Sequence, residues 1–258
     1  MTEPKIYTKN FVDGECVFSV SHGSALIENI FDFDKNSQWF SDGVSDDNAV
    51  EVSIVINFMS AGQSVQRTLN RIILINHNLK DPTFEYYDGS AWQTLVTGSS
   101  LASGTTIFIF TQRTTTAIRL RCSTTQSADE FKEIGELIAT LLSFEPSYEM
   151  VNYDVTFNQR KSFELMLADG AIHKTTVMFS QNRSAKYEAN VRFDFLATSE
   201  LESLMAIRDA GQAFLWQPES TQRPDEVYLV NWVSAFKQQY ISSYKGAGYR
   251  VDISLKEV

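Results

Sequence analysis

The chain has 258 residues, of which 43% are hydrophobic and 12% aromatic, and this composition excludes a chain that is disordered throughout. Lys and Arg number 22 against 32 Asp and Glu, so the formal net charge is −10. Because phosphate groups are neutralised by clustered cations, this balance predicts no nucleic-acid partner. At about 150 residues per domain, the length predicts two domains.

Targeting and cysteine patterns indicate a protein made in a cytoplasm. Residues 1–6 contain no apolar run and no small-residue cleavage site, so no secretory signal is expected there. No stretch approaches the roughly 18 consecutive apolar residues of a membrane span, so membrane insertion is not expected. Cys16 and Cys122 are the only cysteines; they could pair, but two buried thiols are the favoured interpretation.

Alternation of apolar and polar residues is the dominant pattern, and it predicts a mostly β protein. It is clearest over residues 52–58, 187–195 and 249–255, where one face is apolar and the other polar, as in an antiparallel sheet that covers a core. Further strand-like runs are 71–75, 84–87, 106–110, 117–122, 151–157, 163–167, 227–233 and 236–242. Asp88-Gly89 and Asp169-Gly170 lie between such runs and predict hairpin turns.

One capped helix is expected over residues 200–210. Ser199 and Glu202 have the spacing of a capping box, and Gly211 suits the C-terminal end. The apolar stripe of this helix consists of Leu201, Leu204, Met205 and Ile207.

The segment 128–142 fits two interpretations. Its apolar residues suit a helical face, yet residues 133–139 alternate as a strand does, and Gly135 weakens the helix. The pattern leaves this segment open. The best domain boundary is near Pro146, which disfavours helix in the residue before it and cannot donate to a sheet. We therefore expect domains at 1–145 and 146–258.

Three segments of the first domain, read together, resemble a discoidin-type (galactose-binding-like) jelly roll as found in tail proteins of bacterial viruses. They are FDFDKNSQW (31–39), RIILINHNL (71–79) and EYYDGSAW (85–92). IGEL (134–137) resembles the closing strand of that family, which favours β for the open segment. The implied first domain is an antiparallel β-sandwich.

The second domain resembles, more loosely, the C-terminal part of such tail proteins. The resemblance is carried by the alternating strand that ends at Phe195, the capped helix, FLWQP (214–218) and the closing LKEV (255–258). It implies a β-rich domain with one helix in a distal-tail or tail-tip (baseplate) subunit. Such a subunit forms a homo-oligomeric ring, contacts tail tube, tape-measure and hub proteins, and resides in the virion tail after synthesis in the bacterial cytoplasm.

Calcium is the one metal that the sequence brings into question. Asp32, Asp34 and Asn36 have the alternating oxygen spacing with which many calcium loops begin, and jelly rolls that the chain resembles can carry a structural calcium. Ser37 replaces the turn glycine, and Gly43 stands where a bidentate Glu closes an EF-hand, so an EF-hand is excluded. A polar loop held by Asx turns is the favoured alternative, and no cofactor is otherwise expected.

A carbohydrate-binding surface is the alternative function. His77, flanked by Asn76 and Asn78, could read sugar hydroxyls while Trp39 or Trp92 stacks on the sugar ring. The favoured alternative is that the amides hold a loop and both tryptophans belong to the core, since large aromatics are usually buried.

No enzymatic motif is present. The three histidines, His22, His77 and His173, lack zinc-ligand spacing, and no nucleophile elbow, phosphate loop or dinucleotide fingerprint occurs. Catalysis is therefore not expected. The sequence predicts a structural tail-tip subunit, with a module that binds surface glycan as the alternative.

Overall fold

The computed structural model describes residues 4–23, 25–34, 37–41, 50–127, 130–147, 151–158, 160–166, 172–178, 186–243 and 246–258. For 151–158, 160–166, 172–178, 243 and 246, the description covers the backbone. In this part of the chain β-strands predominate, with one α-helix and one short 3-10 helix, which confirms the expected fold class.

The first thirteen strands lie before residue 145. They are β1 (Lys5–Tyr7), β2 (Val17–Val20), β3 (Trp39–Phe40), β4 (Val52–Asn57), β5 (Met59–Ser60), β6 (Gln63–Ser64), β7 (Arg67–His77), β8 (Thr83–Tyr87), β9 (Trp92–Thr97), β10 (Gly104–Thr115), β11 (Ala117–Cys122), β12 (Glu133–Thr140) and β13 (Leu142–Phe144). The 3-10 helix spans Ile27–Ile30.

The remaining elements follow residue 150. They are β14 (Val151–Asn158), β15 (Arg160–Met166), β16 (Ile172–Met178), β17 (Lys186–Leu196), α1 (Thr198–Ala210), β18 (Phe214–Gln217), β19 (Tyr228–Trp232), β20 (Lys237–Ser243) and β21 (Gly246–Glu257). Asp169-Gly170, the second predicted hairpin turn, lies outside the described residues.

The N-terminal domain is a sandwich of two antiparallel sheets. One sheet has five strands in the order β2-β4-β11-β8-β9, and the other has four in the order β10-β7-β12-β3. Inward residues from both sheets form one buried core, for example Ile56 and Ile118 from the first and Ile72 and Leu137 from the second. Cys16 and Cys122 are buried free thiols at its edge.

The four-stranded sheet is covered on both faces. Ile72 and Leu74 of β7 point into the sandwich core, while Ile73 and Ile75 belong to a second cluster with Tyr7 and Leu215, which lie in the C-terminal sheet. This explains why residues 72–75 of β7 are continuously apolar rather than alternating, since a strand segment buried on both faces needs apolar groups on both. The molecule therefore has a third layer stacked on the sandwich.

That third layer is an eight-stranded sheet in the order β13-β1-β18-β19-β21-β17-β14, with β20 paired to β21. The expected boundary near residue 145 falls between β13 and β14 along the chain. The sheets do not divide there, because β1 pairs with both β18 and β13 in the C-terminal sheet. Residues from both sides of that boundary thus build one sheet.

Helix α1 is capped differently from the sequence prediction. It begins at Thr198, so Ser199 already lies in its first turn, and the carbonyl of Ser199 accepts a bond from the Ser203 hydroxyl. The carboxylate of Glu200 accepts the backbone N–H of Ala197 at 2.6 Å, so it does the capping that was expected of Glu202. Gly211 ends the helix with φ +61°, as predicted.

Two other local predictions are settled by the structure. Asp88-Gly89 forms the turn between β8 and β9, with Gly89 at φ +102° and the Asp88 carboxylate accepting the backbone N–H of Ala91 at 2.8 Å. The open segment is strand β12. Its Gly135 permits close packing, because a Cβ there would lie 2.9 Å from Cβ of Asn76. In the described residues, no helix is long and apolar enough to cross a bilayer.

Candidate functional site: a polar cleft at one end of the sandwich

Trp39 is a core residue. It is 1% exposed, and its indole N–H donates to the carbonyl of Gly23. Neither face of its ring is open to a ligand. The structure thus gives Trp39 the packing role that the sequence analysis favoured.

His77 and its two asparagines hold the end of β7. His77 is 2% exposed; its Nδ1 accepts the backbone N–H of Leu79 at 3.2 Å, so Nε2–H donates to Oγ1 of Thr106 at 2.9 Å. Burial lowers the pKa of His77 to about 4, so the ring is neutral at pH 7. Asn76 adopts the left-handed conformation with φ +51°.

Asn78 clamps the chain that leads into β12. Its amide group donates to the carbonyl of Phe131 at 2.6 Å, and its amide oxygen accepts the backbone N–H of Glu133 at 2.8 Å. Asn78 is 8% exposed. Both ends of its side chain are therefore engaged in positioning residues 131–133.

Trp92 lies elsewhere, on the outer face of the five-stranded sheet. Its ring centroid is 5.6 Å from that of Tyr87, and the Arg119 guanidinium lies 4.6 Å from it. The structure does not bring Trp92 together with His77, which is in the other sheet. Ligand contact by Trp39, Asn76, His77, Asn78 and Trp92 stays a prediction, and their observed contacts are structural.

The cleft that we call the end cleft lies where β7 ends and β12 begins. It has a volume of about 470 Å³ and is lined by Asn78, Ser103, Gln126, Ser127, Glu130, Phe131 and Glu133. Phe131 is a large apolar side chain with 45% of its surface exposed. An exposed aromatic ring thus stands beside amide, hydroxyl and carboxylate groups.

The charge in the end cleft is negative. Burial, and then the neighbouring Glu130 carboxylate, raise the pKa of Glu133. Lys132, which lies between them in sequence, is 1% exposed and donates from Nζ to the carbonyl of Val50 at 3.0 Å. The lysine therefore points inward while both glutamates line the cleft.

Sequence reasoning missed this group of residues. Glu130, Phe131 and Glu133 fell in the segment left open between helix and strand, so no face could be assigned to them. The available signal was the single aromatic of EFKE (130–133), directly before the closing strand. Ser103 reaches the cleft from a loop of the chain that is distant in sequence.

Two of the candidate metal residues, Asp32 and Asp34, lie near the buried carboxylate of Glu136. The Asp32 carboxylate accepts the backbone N–H of Asp34 at 2.8 Å and the Ser37 hydroxyl at 2.7 Å, which is the expected Asx turn. Glu136 is 2% exposed, and its carboxylate oxygens, which lie beside the Asp32 side chain and the backbone of Phe33, accept no hydrogen bond of ordinary geometry among the described residues. Asn36 lies outside the described residues.

Burial and the nearby charge of Asp32 raise the pKa of Glu136 to about 9. Uncompensated carboxylate oxygens are the ligands that calcium prefers, so Glu136 and Asp32 fit the chemistry of that ion. The described residues hold no assembled group of three or more His, Cys, Asp or Glu ligands. The residues therefore match calcium in the type of ligand atom and in their need for a positive charge. They do not form a complete coordination shell among the described residues.

Comparisons with known proteins support the fold and assign no function. No family model matches the chain, and no curated protein matches it. Among solved structures, it is similar to chitosan-binding module 1 of a chitosanase/glucanase from Paenibacillus sp. IK-5. The identity is 18% and the TM-score 0.41, with 50% of this chain and 97% of the module covered.

Two further structures are family 32 carbohydrate-binding modules. The module of Clostridium perfringens NanJ, solved with galactose, has 13% identity and a TM-score of 0.42, with 53% of this chain and 98% of the module covered. That of Streptococcus pneumoniae EndoD has 16% identity and a TM-score of 0.42, with coverages of 52% and 99%. None of these three is a tail protein. Similarity at this level concerns the sandwich and transfers no function.

Proposed function

We propose that this chain is a non-catalytic carbohydrate-binding protein whose end cleft takes a surface glycan. The observation that carries the proposal is Phe131, an aromatic ring with 45% of its surface exposed beside a cleft of amides, hydroxyls and carboxylates. A sugar ring has one apolar face and a rim of hydroxyls. It therefore needs a flat apolar surface next to several hydrogen-bonding groups, and this cleft has both.

The carboxylates select hydroxyl-rich ligands over anionic ones. The carboxylate oxygens of Glu130 and Glu133 accept hydrogen bonds, and every sugar hydroxyl can donate one. A charge-assisted bond of this kind is roughly twice as strong as a neutral one. Acidic sugars should be repelled by the same pair, so the proposed ligand is a neutral glycan.

The cleft is held in shape before a ligand arrives. Asn78 fixes the backbone at Phe131 and Glu133, and Gln126 donates to the carbonyl of Leu79 at 3.1 Å. His77 beneath them is tied at both ring nitrogens. Binding then costs less ordering of the protein, which favours affinity.

The test is a neutral-glycan array followed by calorimetry on the glycans that bind. We expect Phe131→Ala to weaken binding by about tenfold or more, and Glu133→Gln to weaken it less because one acceptor remains. Tyr240→Ala removes an aromatic that is 62% exposed in the C-terminal domain and serves as the matched control. An array with no response to the unaltered protein, or equal loss in the control, would refute the proposal.

We further propose calcium as a structural ligand at Glu136 and Asp32, with Asp34 as an additional oxygen donor. Its role is to neutralise a buried carboxylate that has no cationic partner among the described residues. Adding calcium to chelator-treated protein should raise the melting temperature, and Glu136→Gln should abolish that rise. Magnesium is the control cation, and an unchanged melting temperature in calcium would contradict the site.

A ring subunit of a virus tail tip is the second candidate function. Strand β14 is at the edge of the eight-stranded sheet, and the hairpin β15–β16 forms a separate two-stranded sheet. Unpaired strand edges are templates for pairing with another chain, so these elements suit contacts with copies of itself or with tail tube, tape-measure and hub proteins. Light scattering at high protein concentration tests it, and a strict monomer would count against the ring.

A further inference from the structure

A second cleft, which we call the junction cleft, lies between helix α1 and residues of the N-terminal domain. Its volume is about 540 Å³. Its walls are mainly apolar, with Phe11 and Leu142 on one side and Ile207 and Phe214 on the other. The volume lies within the range of about 300 to 1,000 Å³ that small-ligand sites occupy. It shares no lining residue with the end cleft.

The charge of the junction cleft is opposite to that of the whole chain. Acidic residues outnumber basic ones by 32 to 22 in the sequence. Yet the described lining includes Arg67 and Lys9 and contains no Asp or Glu side chain. Lys9 forms an ion pair with Asp13 at 3.2 Å. Arg67 is therefore the cationic side chain of the described lining that is available to a ligand.

Arg67 has no anionic partner among the described residues. Its Nε atom is buried and has no hydrogen-bond acceptor. The guanidinium carbon lies 5.6 Å from the centroid of the Phe11 ring, so one face of the group rests on an aromatic surface. By contrast, Arg119 and Arg121 on the five-stranded sheet both have carboxylate partners. A guanidinium that lines a cleft and has no carboxylate partner among the described residues is suited to a carboxylate or a similar oxyanion.

We propose that the junction cleft binds an amphipathic anion, a molecule with an aliphatic or aromatic body and one carboxylate or sulfonate group. The anionic group pairs with Arg67, and the apolar body lies between Leu142, Ile207 and Phe214. Because Arg67 comes from β7 of the sandwich, whereas Ile207 and Phe214 come from α1 and β18, the ligand contacts both halves of the molecule. The inference is independent of glycan binding at the end cleft.

Calorimetry with decanoate and with the uncharged decanol distinguishes the contact of the anionic group with Arg67 from the contact of the apolar body with the walls. Decanoate should bind more tightly than decanol, by about tenfold for one charge-assisted contact. Arg67→Met keeps an unbranched apolar side chain and should remove that difference. Ala206→Phe should weaken both ligands, because it places a ring in the cleft from the exposed side of α1.

Arg113→Met is the matched control, since Arg113 is an exposed arginine of the same sheet that lies over Tyr86 and not in the cleft. Melting temperatures of all variants verify that each is folded. The proposal is overturned if decanoate does not bind at millimolar concentration, if Arg67→Met leaves decanoate affinity unchanged, or if Arg113→Met reduces it equally.

Discussion

The two sheets of the sandwich share one core but have opposite outer faces. The outer face of the four-stranded sheet carries Ile73, Ile75 and Ile138, and all three are covered by the C-terminal sheet. The outer face of the five-stranded sheet carries Arg119 and Arg121 instead. Apolar side chains thus mark the outer face that the C-terminal sheet covers, and charged side chains mark the outer face that this chain leaves uncovered.

The open face is organised by ion pairs. Arg119 contacts Glu85 at 2.6 Å, and Arg121 contacts Glu51 at 2.7 Å and Glu85 at 3.5 Å. Glu85 is 7% exposed because these arginines lie over it. The pair of Arg121 with Glu51 is exposed on both sides, and exposed ion pairs contribute about 0 to 1 kcal/mol each, so this part of the face should tolerate change that the covered face does not.

The largest expected effect comes from placing one charge on each face. Ile138→Asp puts an unpaired carboxylate in a fully buried position, and we expect a loss of about 4 kcal/mol or more, or no folded protein. Val55→Asp puts the same group beside its cross-strand neighbour Arg119, where we expect a change of about 1 kcal/mol or less. Urea unfolding measures both, and similar losses would show that the faces do not differ.

A smaller effect should come from Glu136, the carboxylate that pairs with Ile75 on the covered face. Its pKa rises from 4.5 to about 9 on folding, so the folded state holds a proton that the unfolded state has released over this range. Without calcium, its contribution to stability is therefore full below pH 4.5 and is lost as the pH rises towards 9. At pH 7 the loss amounts to roughly 3 kcal/mol.

Glu136→Gln should remove this pH dependence and stabilise the calcium-free protein at pH 7 to 9. Unfolding measured across pH 4 to 9 in chelator tests it, with Glu202→Gln on the exposed side of α1 as the control. A variant that loses stability at pH 8 would mean that the ionised carboxylate is satisfied in the folded protein.

The pairing of strand β1, near the start of the chain, with strand β18 of the C-terminal part can be weakened by removing a single atom. The Tyr7 hydroxyl donates to Oε1 of Gln217 at 2.7 Å, and both side chains are buried. Tyr7→Phe leaves that amide oxygen without its donor, at a cost of about 1 to 2 kcal/mol. A thermal melt should show one shifted transition, whereas two separate transitions would mean that the halves unfold independently.

The smallest effect is expected on the open face. Arg121→Gln removes two ion pairs but leaves Arg119 on Glu85, so we expect about 0.5 kcal/mol or less. Raising the salt concentration should shrink even that difference, because exposed charges are screened. A loss above about 2 kcal/mol would show that the network is structural and not a solvated surface.

Much of the local structure could be predicted from the sequence. The alternating runs 52–58, 187–195 and 249–255 are strands, and Asp88-Gly89 is a hairpin turn. The helix was placed to within two residues at its start, although its cap was assigned to the wrong glutamate. These features depend on residues close together in the chain, whose spacing matches the helical or strand period.

The candidate site was predicted less well. His77 and Asn78 do lie at the end of the sandwich, but as buried supports of the end cleft, and the exposed ring is Phe131. Which side chain near the end of a strand is exposed depends on how that strand pairs with its neighbour. In β12, the pairing of Ile134 with His77 decided this.

The sequence by itself determined that the chain is β-rich and where most strands and the helix lie. The tertiary structure decided that β1 joins the C-terminal sheet, that β7 is covered on both faces, and that Arg67 faces an apolar cleft. The reason is physical: side-chain period is fixed by local backbone geometry. Pairing between residues such as Tyr7 and Gln217, by contrast, depends on the burial that the whole folded chain achieves.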